Sequence, residues 1–383
     1  MPLHIQTYLR GGGTCADLLA TFGIVAKRHR QYPNLVQFKY DQIRSPMAEP
    51  IVRECRGIIL DESDGWRVVA RGFDKFSNYG EGTAATIDWP TARVQTKEDG
   101  SLILSYHYNG QWHVATTGTP DASGNVHGHD TSGQWEPRPG CRLPMPATFA
   151  DLFWQTFCFY ANDFYPMSRP VDEDYCFMWE LTTPLNRVVV PHAQARIALL
   201  GARNRVTGQE VTAVQANRLM GYGFQVAREF DLSSIDEIVA TFGAMSPLAQ
   251  EGYVVVDQHF NRVKVKHPGY VAIHHAKDGM SVRSFVEIAR TGETPEVIVA
   301  FPELQPMLNE ARERFDTLVS EVEATYYENI GVVSQKDFAL AVKSSRCAAA
   351  CFAVRANKAP TVRDFLARMP IDSLLNLLGY RNG

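Results

Sequence analysis

Apolar and polar residues alternate over short runs between residue 35 and about residue 266, a pattern typical of β-strands. The runs are rich in valine, isoleucine and aromatic residues, and turn pairs such as Asp64-Gly65 and Asn109-Gly110 separate several of them. The predicted strands are Leu35–Tyr40, Gly57–Asp61, Trp66–Arg71, Arg93–Lys97, Leu102–Tyr108, Trp112–Thr117, Cys176–Thr182, Arg187–Val190, Ile197–Arg203, Gly252–Asp257 and Arg262–Lys266. Helical spacing predicts two helices among them, Ala147–Asn162 and Ala213–Met220.

After His267 the apolar residues recur at helical spacing almost to the end of the chain. The predicted helices there are Val282–Arg290, Pro306–Asn329, Gln335–Ala353, Val362–Met369 and Ile371–Leu378. We therefore predict an α+β chain in which antiparallel sheets with flanking helices form a first domain over residues 1–277. An all-α domain over residues 278–383 follows it.

Composition excludes several classes of protein. Of the 383 residues 45% are hydrophobic and 21% are charged, which excludes a disordered or collagen-like chain. No apolar run reaches 18 residues and no signal peptide is visible, so neither a membrane span nor a membrane partner is expected. The seven cysteines are scattered without a C-x-x-C pair, so a zinc site is not expected. Their odd number and scattered positions fit a protein of the reducing cytoplasm.

The net charge of −4 excludes a uniformly basic nucleic-acid binder, but the charge is uneven. Residues 336–368 carry seven basic side chains against two acidic ones. This asymmetry predicts a cationic face on the C-terminal helices, and ordinary solvated helix faces are the alternative.

The sequence Thr96-Lys97-Glu98-Asp99-Gly100-Ser101 lies between two predicted strands and displays a lysine at a strand end. A lysine amine attacks phosphorus or a carbonyl only when unprotonated, and desolvation and nearby cations lower its pKa toward that form. The glycine would let the backbone approach a phosphate or a base closely. Alone the pattern is weak, because an ordinary polar turn has the same composition.

Two lysines and two glutamates on other strands add to this pattern. Lys264 and Lys266 alternate in one strand and share a face, which suits the binding of an anion, or else a plain exposed face. Glu180 lies inside an apolar strand and Glu251 begins another. A buried acid is costly unless it is paired, hydrogen-bonded or near a metal, so each glutamate is a metal ligand or part of a structural ion pair.

Two further cations precede these strands. Arg56 stands before an apolar strand, where it would contact phosphate or ribose, or form a surface salt bridge. Lys75 lies among the aromatic residues of Phe73–Phe76, a setting that suits a base-stacking pocket or a packed loop.

Taken in their order along the chain, these motifs resemble those of the covalent lysyl-nucleotidyltransferase superfamily. The resemblance is strongest to the RNA ligase 1 family of phage tRNA-repair enzymes. The matching residues, spread over 35–275, are Glu54-Cys55-Arg56-Gly57, Lys75-Phe76, Thr96 to Leu102, Glu180 with Pro184 and Asn186-Arg187, Glu251-Gly252-Tyr253-Val254, and Lys264-Val265-Lys266 with Tyr270-Val271. The resemblance implies an adenylyltransferase domain over residues 1–277 and a helical RNA-specificity domain over 278–383. It also implies ATP-dependent joining of RNA ends through lysyl-AMP and RNA-adenylate intermediates.

The resemblance assigns roles to individual residues. Lys97 would be the nucleophile, Lys264 and Lys266 would offset phosphate charge, and Asp99 would orient Lys97 or a metal-bound water. The implied ATP contacts are Tyr40, Arg56, Lys75, Gly100, Glu180, Glu251, Gly252, Lys264 and Lys266. Glu180, Glu251 and Glu293 would hold Mg²⁺ or Mn²⁺, and Arg187 and Tyr270 would bind or support the RNA.

The chain departs from the family pattern in two places. Thr117 precedes Gly118 where the family has a lysine, so a cation near the terminal phosphates would be missing or would come from elsewhere, such as Arg138 or Arg142. Ser77 stands where the family has a second aromatic residue, which puts stacking on the base in doubt.

The implied substrate is RNA with a 5′-phosphate and a 3′-hydroxyl, such as a nicked tRNA, in the cytoplasm or in a host cytoplasm if a phage encodes the chain. No G-x-x-x-x-G-K-[ST] loop occurs, so a separate kinase-phosphatase would heal the ends. Two alternatives stay open: a catalytically silent RNA-end-binding protein, and a DNA ligase or capping nucleotidyltransferase. The helical tail argues against the second alternative, because those enzymes usually append a β-barrel.

Overall fold

The computed structural model describes residues 2–42, 44–126, 145–162, 171–278, 281–292, 294, 297–298 and 304–380. Packing divides the chain into two compact units, Met1–Lys266 and His267–Gly383. The chain is a mixed α/β protein with antiparallel sheets and several helices. The division into an adenylyltransferase domain over 1–277 and an RNA-specificity domain over 278–383 stays a prediction.

The first unit contains all of the described strands. They are β1 Ile24–Arg28, β2 Leu35–Tyr40, β3 Arg56–Asp61, β4 Arg67–Ala70, β5 Arg93–Lys97, β6 Ser101–Tyr108, β7 Gln111–Thr116, β8 Tyr175–Thr182, β9 Arg196–Asn204, β10 Glu210–Thr212, β11 Glu229–Phe230, β12 Gly252–Val256 and β13 Arg262–Lys266. Its helices are α1 His4–Arg10, α2 Cys15–Phe22, α3 Pro50–Glu54, α4 Phe149–Ala161, α5 Ala213–Met220 and α6 Ile235–Thr241.

The strands form three antiparallel sheets, ordered β1-β2-β3-β4, β10-β9-β8-β6-β7 and β11-β5-β12-β13. Strand β13 shows why alternating apolar and polar residues predict strands. Its Val263 and Val265 are buried, while the basic residues Arg262, Lys264 and Lys266 are half-buried. Because neighbouring side chains point to opposite faces of a strand, Lys264 and Lys266 share the face away from the valines.

Helix α4 packs on the five-stranded sheet and confirms the predicted helix in this region. The Thr148 side chain accepts from the Asp151 N–H and so caps its first turn. Phe153 and Phe157 then lie edge-on to Trp179 of β8, with ring centroids 5.6 and 5.8 Å apart. This aromatic cluster fixes β8, which carries Glu180, against the helix.

The predicted strand Arg187–Val190 is wrong. The chain forms a 3₁₀ turn at Pro184–Asn186 and then bends, and the N–H groups of Val189 and Val190 donate to the carboxylate of Asp99. Those donors are therefore not available to a ladder of strands. The sequence also did not predict α1, α2, α3, α6, β1, β10 and β11.

The described elements of the second unit are helices: α7 Pro268–Asp278, α8 Val282–Thr291, α9 Gln305–Glu328, α10 Gln335–Ala341, α11 Ala348–Arg355, α12 Val362–Ala367 and α13 Ile371–Leu377. The single helix predicted over Gln335–Ala353 is wrong, because it divides into α10 and α11. Between them the Ser345 hydroxyl accepts from the Cys347 N–H, a local bond that competes with continued helix. In the described part of the chain, no helix combines the length and apolar character needed to cross a bilayer.

Candidate active site

Three adjacent strands bring the nucleophile candidate and the lysine pair together. Gly252, at the start of β12, lies opposite Lys97 of β5 on one side and opposite Lys266 of β13 on the other. Its φ of 142° is a backbone conformation that side chains with a Cβ rarely adopt, so glycine is favoured here. The register therefore places the ends of β5 and β13 on either side of one strand.

Glu251 joins the two lysines across this gap. Lys97 Nζ donates to Glu251 Oε2 at 2.7 Å, and Lys266 Nζ lies 2.8 Å from Glu251 Oε1. The Glu251 side chain is only 5% exposed, against 20% for Lys97 and 29% for Lys266. Although burial would raise the pKa of Glu251, the two lysines outweigh it and hold that pKa below its usual value.

The pKa of the Lys97 amine is shifted in the direction opposite to the predicted one. Burial does lower the pKa of Lys97, but the carboxylates of Glu251, Glu180 and Asp99 together outweigh burial, and the net shift is upward. The expected lowering by nearby cations is therefore wrong for the protein without substrate. The reason is that the direct partner of the amine is a carboxylate and not another lysine.

Glu180 stands across from Leu102 on the neighbouring strand, with Oε1 accepting from the Gly100 N–H at 3.1 Å. Burial raises the pKa of Glu180 to about 7; Glu251 adds to this rise and Lys97 opposes it. A Cβ at Gly100 would collide with the Leu181 carbonyl. This glycine therefore permits a close approach to strand β8, and its predicted approach to a phosphate or a base stays a prediction.

Asp99 organises the turn beside the nucleophile. It is buried, and its Oδ2 accepts from Val189 N at 2.9 Å and from Val190 N at 2.6 Å. Its carbonyl oxygen lies 2.8 Å from His192 Nε2. These bonds anchor the segment after the 3₁₀ turn to the Lys97 loop, and the predicted role of Asp99 in orienting Lys97 stays a prediction.

Arg56 and Lys264 approach the ring of Phe76. Arg56 Cζ lies 5.1 Å from the ring centroid and Lys264 Nζ lies 5.4 Å from it. Burial, together with Arg56, Lys266 and Lys97, lowers the pKa of Lys264 to about 8. Arg56 Nη1 is buried and has no hydrogen-bond partner among the described residues, while the guanidinium bonds to the Tyr40 side chain. This group of cations has unmet capacity for an anion.

Lys75 belongs to a segment that runs along the edge of β13. Lys264 N donates to Ser77 O at 3.0 Å, and Tyr79 N donates to Lys264 O at 2.8 Å. The Lys75 amine lies 3.3 Å from Ser77 Oγ and 3.9 Å from Glu81. Ser77, which replaces an aromatic residue of the family pattern, is thus a hydrogen-bond partner of Lys75.

For the other predicted residues the structure gives local contacts or no description. Arg187 Nε donates to the Val189 carbonyl at 2.8 Å and so supports the local turn. Tyr270 is buried in the second unit, where it stacks on His274. Glu293, like Arg138 and Arg142, lies outside the described residues. Roles in binding RNA or metal therefore stay predictions for this set.

An ion-pair network next to the site was not predicted. Glu210 of β10 binds Arg203 of β9 at 2.8 Å and also binds Arg262 of β13, and Arg203 reaches Asp74 at 3.1 Å. The network ties the strand of the lysine pair to the five-stranded sheet. A signal was present, since Arg262 shares the face of Lys264 and Lys266.

Carboxylates are the candidate metal ligands of the site, namely Glu180 and Glu251. Within the described ranges, no group of three or more His, Cys, Asp or Glu residues is arranged to hold an ion by itself. Burial, and after it repulsion by Glu251, raises the pKa of Glu180, and a bound cation would oppose both effects.

A family model described as RNA ligase matches residues 54–270. The chain is 27% identical over 374 residues to a protein of Autographa californica nuclear polyhedrosis virus named "Putative bifunctional polynucleotide kinase/RNA ligase", covering 94% of this chain and 50% of that protein. It thus spans about half the length of this relative. It is 26% identical over 334 residues to an "RNA ligase" of Rhodothermus phage RM378, covering 70% of this chain and 73% of that protein. A solved "Archaeal ATP-dependent RNA ligase" is 14% identical with a TM-score of 0.46, covering 84% of this chain and 83% of that one.

Proposed function

Because the chain belongs to the RNA ligase family, we propose that it is an ATP-dependent RNA ligase. It joins a 5′-phosphate end of RNA to a 3′-hydroxyl end through lysyl-AMP and RNA-adenylate intermediates. The observation that carries the proposal is the register of β5, β12 and β13, which sets Lys97 and Lys266 on the two oxygens of Glu251.

In the first step the Lys97 amine forms a bond to the α-phosphorus of ATP while the bond to pyrophosphate breaks. The amine must first lose a proton, and Glu251 Oε2, at 2.7 Å, is the carboxylate within hydrogen-bond reach. The negative phosphates of ATP would by themselves favour the charged amine, so the proton passes to Glu251, the carboxylate that already accepts a hydrogen bond from it.

Cations of the chain would offset the charge that develops on the phosphate oxygens. Lys264 and Lys266 flank the site on one strand face, and Arg56 offers a buried Nη1 that has no partner among the described residues. Preformed cations in a partly desolvated site stabilise such charge more than water does. Phe76, Tyr40 and Lys75 are the proposed neighbours of the nucleoside and the outer phosphates.

Glu180 and Glu251 fit a divalent cation, since carboxylate oxygens are the ligands that Mg²⁺ and Mn²⁺ prefer and few protein ligands are needed. When bound, such an ion would offset charge on the phosphate oxygens. Asp99 accepts hydrogen bonds from the N–H groups of Val189 and Val190. These bonds would fix the turn after Lys97 and so keep the nucleophile in position.

In the later steps AMP moves to the RNA 5′-phosphate, and the 3′-hydroxyl then displaces it. We infer that the second unit is an all-α RNA-specificity domain and that nicked tRNA is among the substrates, an idea supported by the excess of basic residues over 336–368. The kinase named for the viral relative supports an end-healing kinase activity as a partner of the joining reaction.

A joining assay tests the proposal. A 5′-³²P-labelled RNA with a 3′-hydroxyl is incubated with the protein, ATP and Mg²⁺, and the appearance of circular or longer labelled RNA on a denaturing gel reports joining. We expect joining with ATP and none with the Lys97→Ala protein. Equal joining by the Lys97→Ala protein, or none by the wild type, would contradict the proposed function.

A further inference from the structure

Arginines line a groove in the first unit. Arg10 of α1, Arg67 of β4, Arg71 just after β4 and Arg205 just after β9 line a cavity of about 660 Å³. Arg67 and Arg205 also line an adjoining cavity of about 340 Å³ beside the β6–β7 turn. The two cavities together are called the arginine groove below.

The arginine groove lies at the end of the five-stranded sheet away from Lys97. Strand β6 leaves the nucleophile turn at Ser101 and ends at Tyr108, which lines the smaller cavity. Strand β8 runs the other way, from the groove beside Asp174 to Glu180. Seven steps of about 3.3 Å separate the ends of β6 by about 23 Å, so the groove and Lys97 do not contact the same nucleotide.

The charge of the groove stands out from that of the chain, which has a net charge of −4. Four arginines and one carboxylate, Asp174, line the larger cavity, and a second carboxylate, Glu173, lines the smaller one and lies 3.1 Å from His107. Asp174 is already paired with Arg205 at 3.2 Å, and Arg71 is paired with Asp74 at 2.8 Å. Arg10 and Arg67 are the more exposed pair, and both carry donors with no hydrogen-bond partner among the residues that the structure describes.

Arg10 donates only its Nε, to Gly65 O at 2.7 Å, within the part of the chain that is described. Arg67 donates its Nε to Asp64, and its Nη2 lies 3.9 Å from Asp61. The terminal nitrogens of Arg10 have no hydrogen-bond partner among the described residues. Guanidinium groups bind phosphate through two parallel N–H donors, which is the ligand chemistry that these arginines offer.

We propose that the arginine groove binds the phosphate backbone of the RNA substrate, several nucleotides away from the end that is joined. The proposal rests on the proposed function, because it takes RNA as the substrate. Backbone contacts add affinity and position without sequence preference. At a rise of about 3.4 Å per nucleotide in a duplex strand, 23 Å corresponds to about seven nucleotides.

The test compares the binding of two fluorescein-labelled RNAs, of 24 and 6 nucleotides, by fluorescence anisotropy at several salt concentrations. The variant is Arg10→Ala/Arg67→Ala, and the matched control is Arg30→Ala/Arg218→Ala, whose two arginines are exposed and line neither cavity. We expect about tenfold weaker binding of the 24-nucleotide RNA by the groove variant alone. The slope of log affinity against log salt concentration falls by about 1.4 for two lost contacts to a single strand.

Binding of the 6-nucleotide RNA is expected to be unchanged. Arg10→Lys/Arg67→Lys, which keeps the charge but not the paired N–H donors, is expected to weaken binding of the 24-nucleotide RNA less than the alanine variant does. The proposed RNA binding by the arginine groove would be overturned by any of three results. These are unchanged binding of the 24-nucleotide RNA by the alanine variant, an equal loss of affinity in the control, or an equal loss of affinity for both RNAs. A wild type that binds neither RNA contradicts the proposed function instead.

Discussion

Lys97 and Lys266 hold opposite oxygens of one carboxylate, with nitrogen–oxygen distances of 2.7 and 2.8 Å to Glu251. The two amines would otherwise face each other across Gly252 in a half-buried setting. Glu251 is therefore both the neutralising charge of the site and the group that keeps Lys97 protonated before substrate binds.

Glu251→Gln removes the charge that the two lysines share. We expect protein adenylylation with ATP to slow by about tenfold to a hundredfold, because the nucleophile loses the carboxylate that positions it and accepts its proton. Quench-flow labelling with α-³²P-ATP measures the rate. Glu229→Gln, in an exposed acid paired with Arg93, is the control and should stay within about twofold of the wild type. If Glu251→Gln is adenylylated at the wild-type rate, Glu251 takes no part in this step.

Glu180 predicts a pH dependence of stability. Its pKa in the folded protein is about 7, against an ordinary value of 4.5, so the folded state binds more protons between these pH values. Stability should therefore fall as pH rises through this window, by up to about 3 kcal/mol at 1.4 kcal/mol for each pH unit. Urea unfolding of wild type and Glu180→Gln at pH 4.5 and 7.5 measures the difference. Parallel pH profiles for the two proteins would contradict the burial of this carboxylate.

Gly100 should not tolerate a side chain. Gly100→Ala would push a methyl group into the Leu181 carbonyl of β8, and we expect a loss of about 1–3 kcal/mol in the free energy of unfolding. Adenylylation should fall as well, since the turn carries Lys97. Gly118→Ala is the control, because a Cβ there meets only the Thr116 hydroxyl at 3.9 Å. If both variants unfold at the urea midpoint of the wild type, the close approach of the two backbones is not present.

Glu210→Gln should be strongly destabilising. It would leave the buried guanidinium groups of Arg203 and Arg262 without their shared partner, and breaking a buried pair in this way costs about 3–5 kcal/mol. Glu62→Gln, whose partner Arg28 is exposed, should cost less than about 1 kcal/mol. Thermal unfolding of the two variants compares them, and equal melting temperatures would refute the importance of the network.

The sequence predicted the elements whose side chains alternate or recur regularly. The strand that carries Lys264 and the helix capped by Thr148 are examples, because period and capping residues are local properties. The segment Arg187–Val190 failed because its backbone donors go to Asp99, a contact between residues about ninety positions apart. Local alternation cannot show such a partner.

The residues of the site were predictable, but their pairing was not. Motif order identified Lys97, Glu180, Glu251 and the lysine pair. The sequence could not show that Glu251, and not a cation, is the direct partner of Lys97, since this depends on the register of three strands. The pKa of Lys97 was therefore predicted with the wrong sign.

The most direct test of the central claim is mass spectrometry of the purified protein after incubation with ATP and Mg²⁺. We predict an added AMP that maps to the peptide containing Lys97, and no addition to Lys97→Ala, which should melt close to the wild type because a half-buried lysine contributes little core packing. An AMP adduct on another residue, or no adduct on the wild type, would contradict the account.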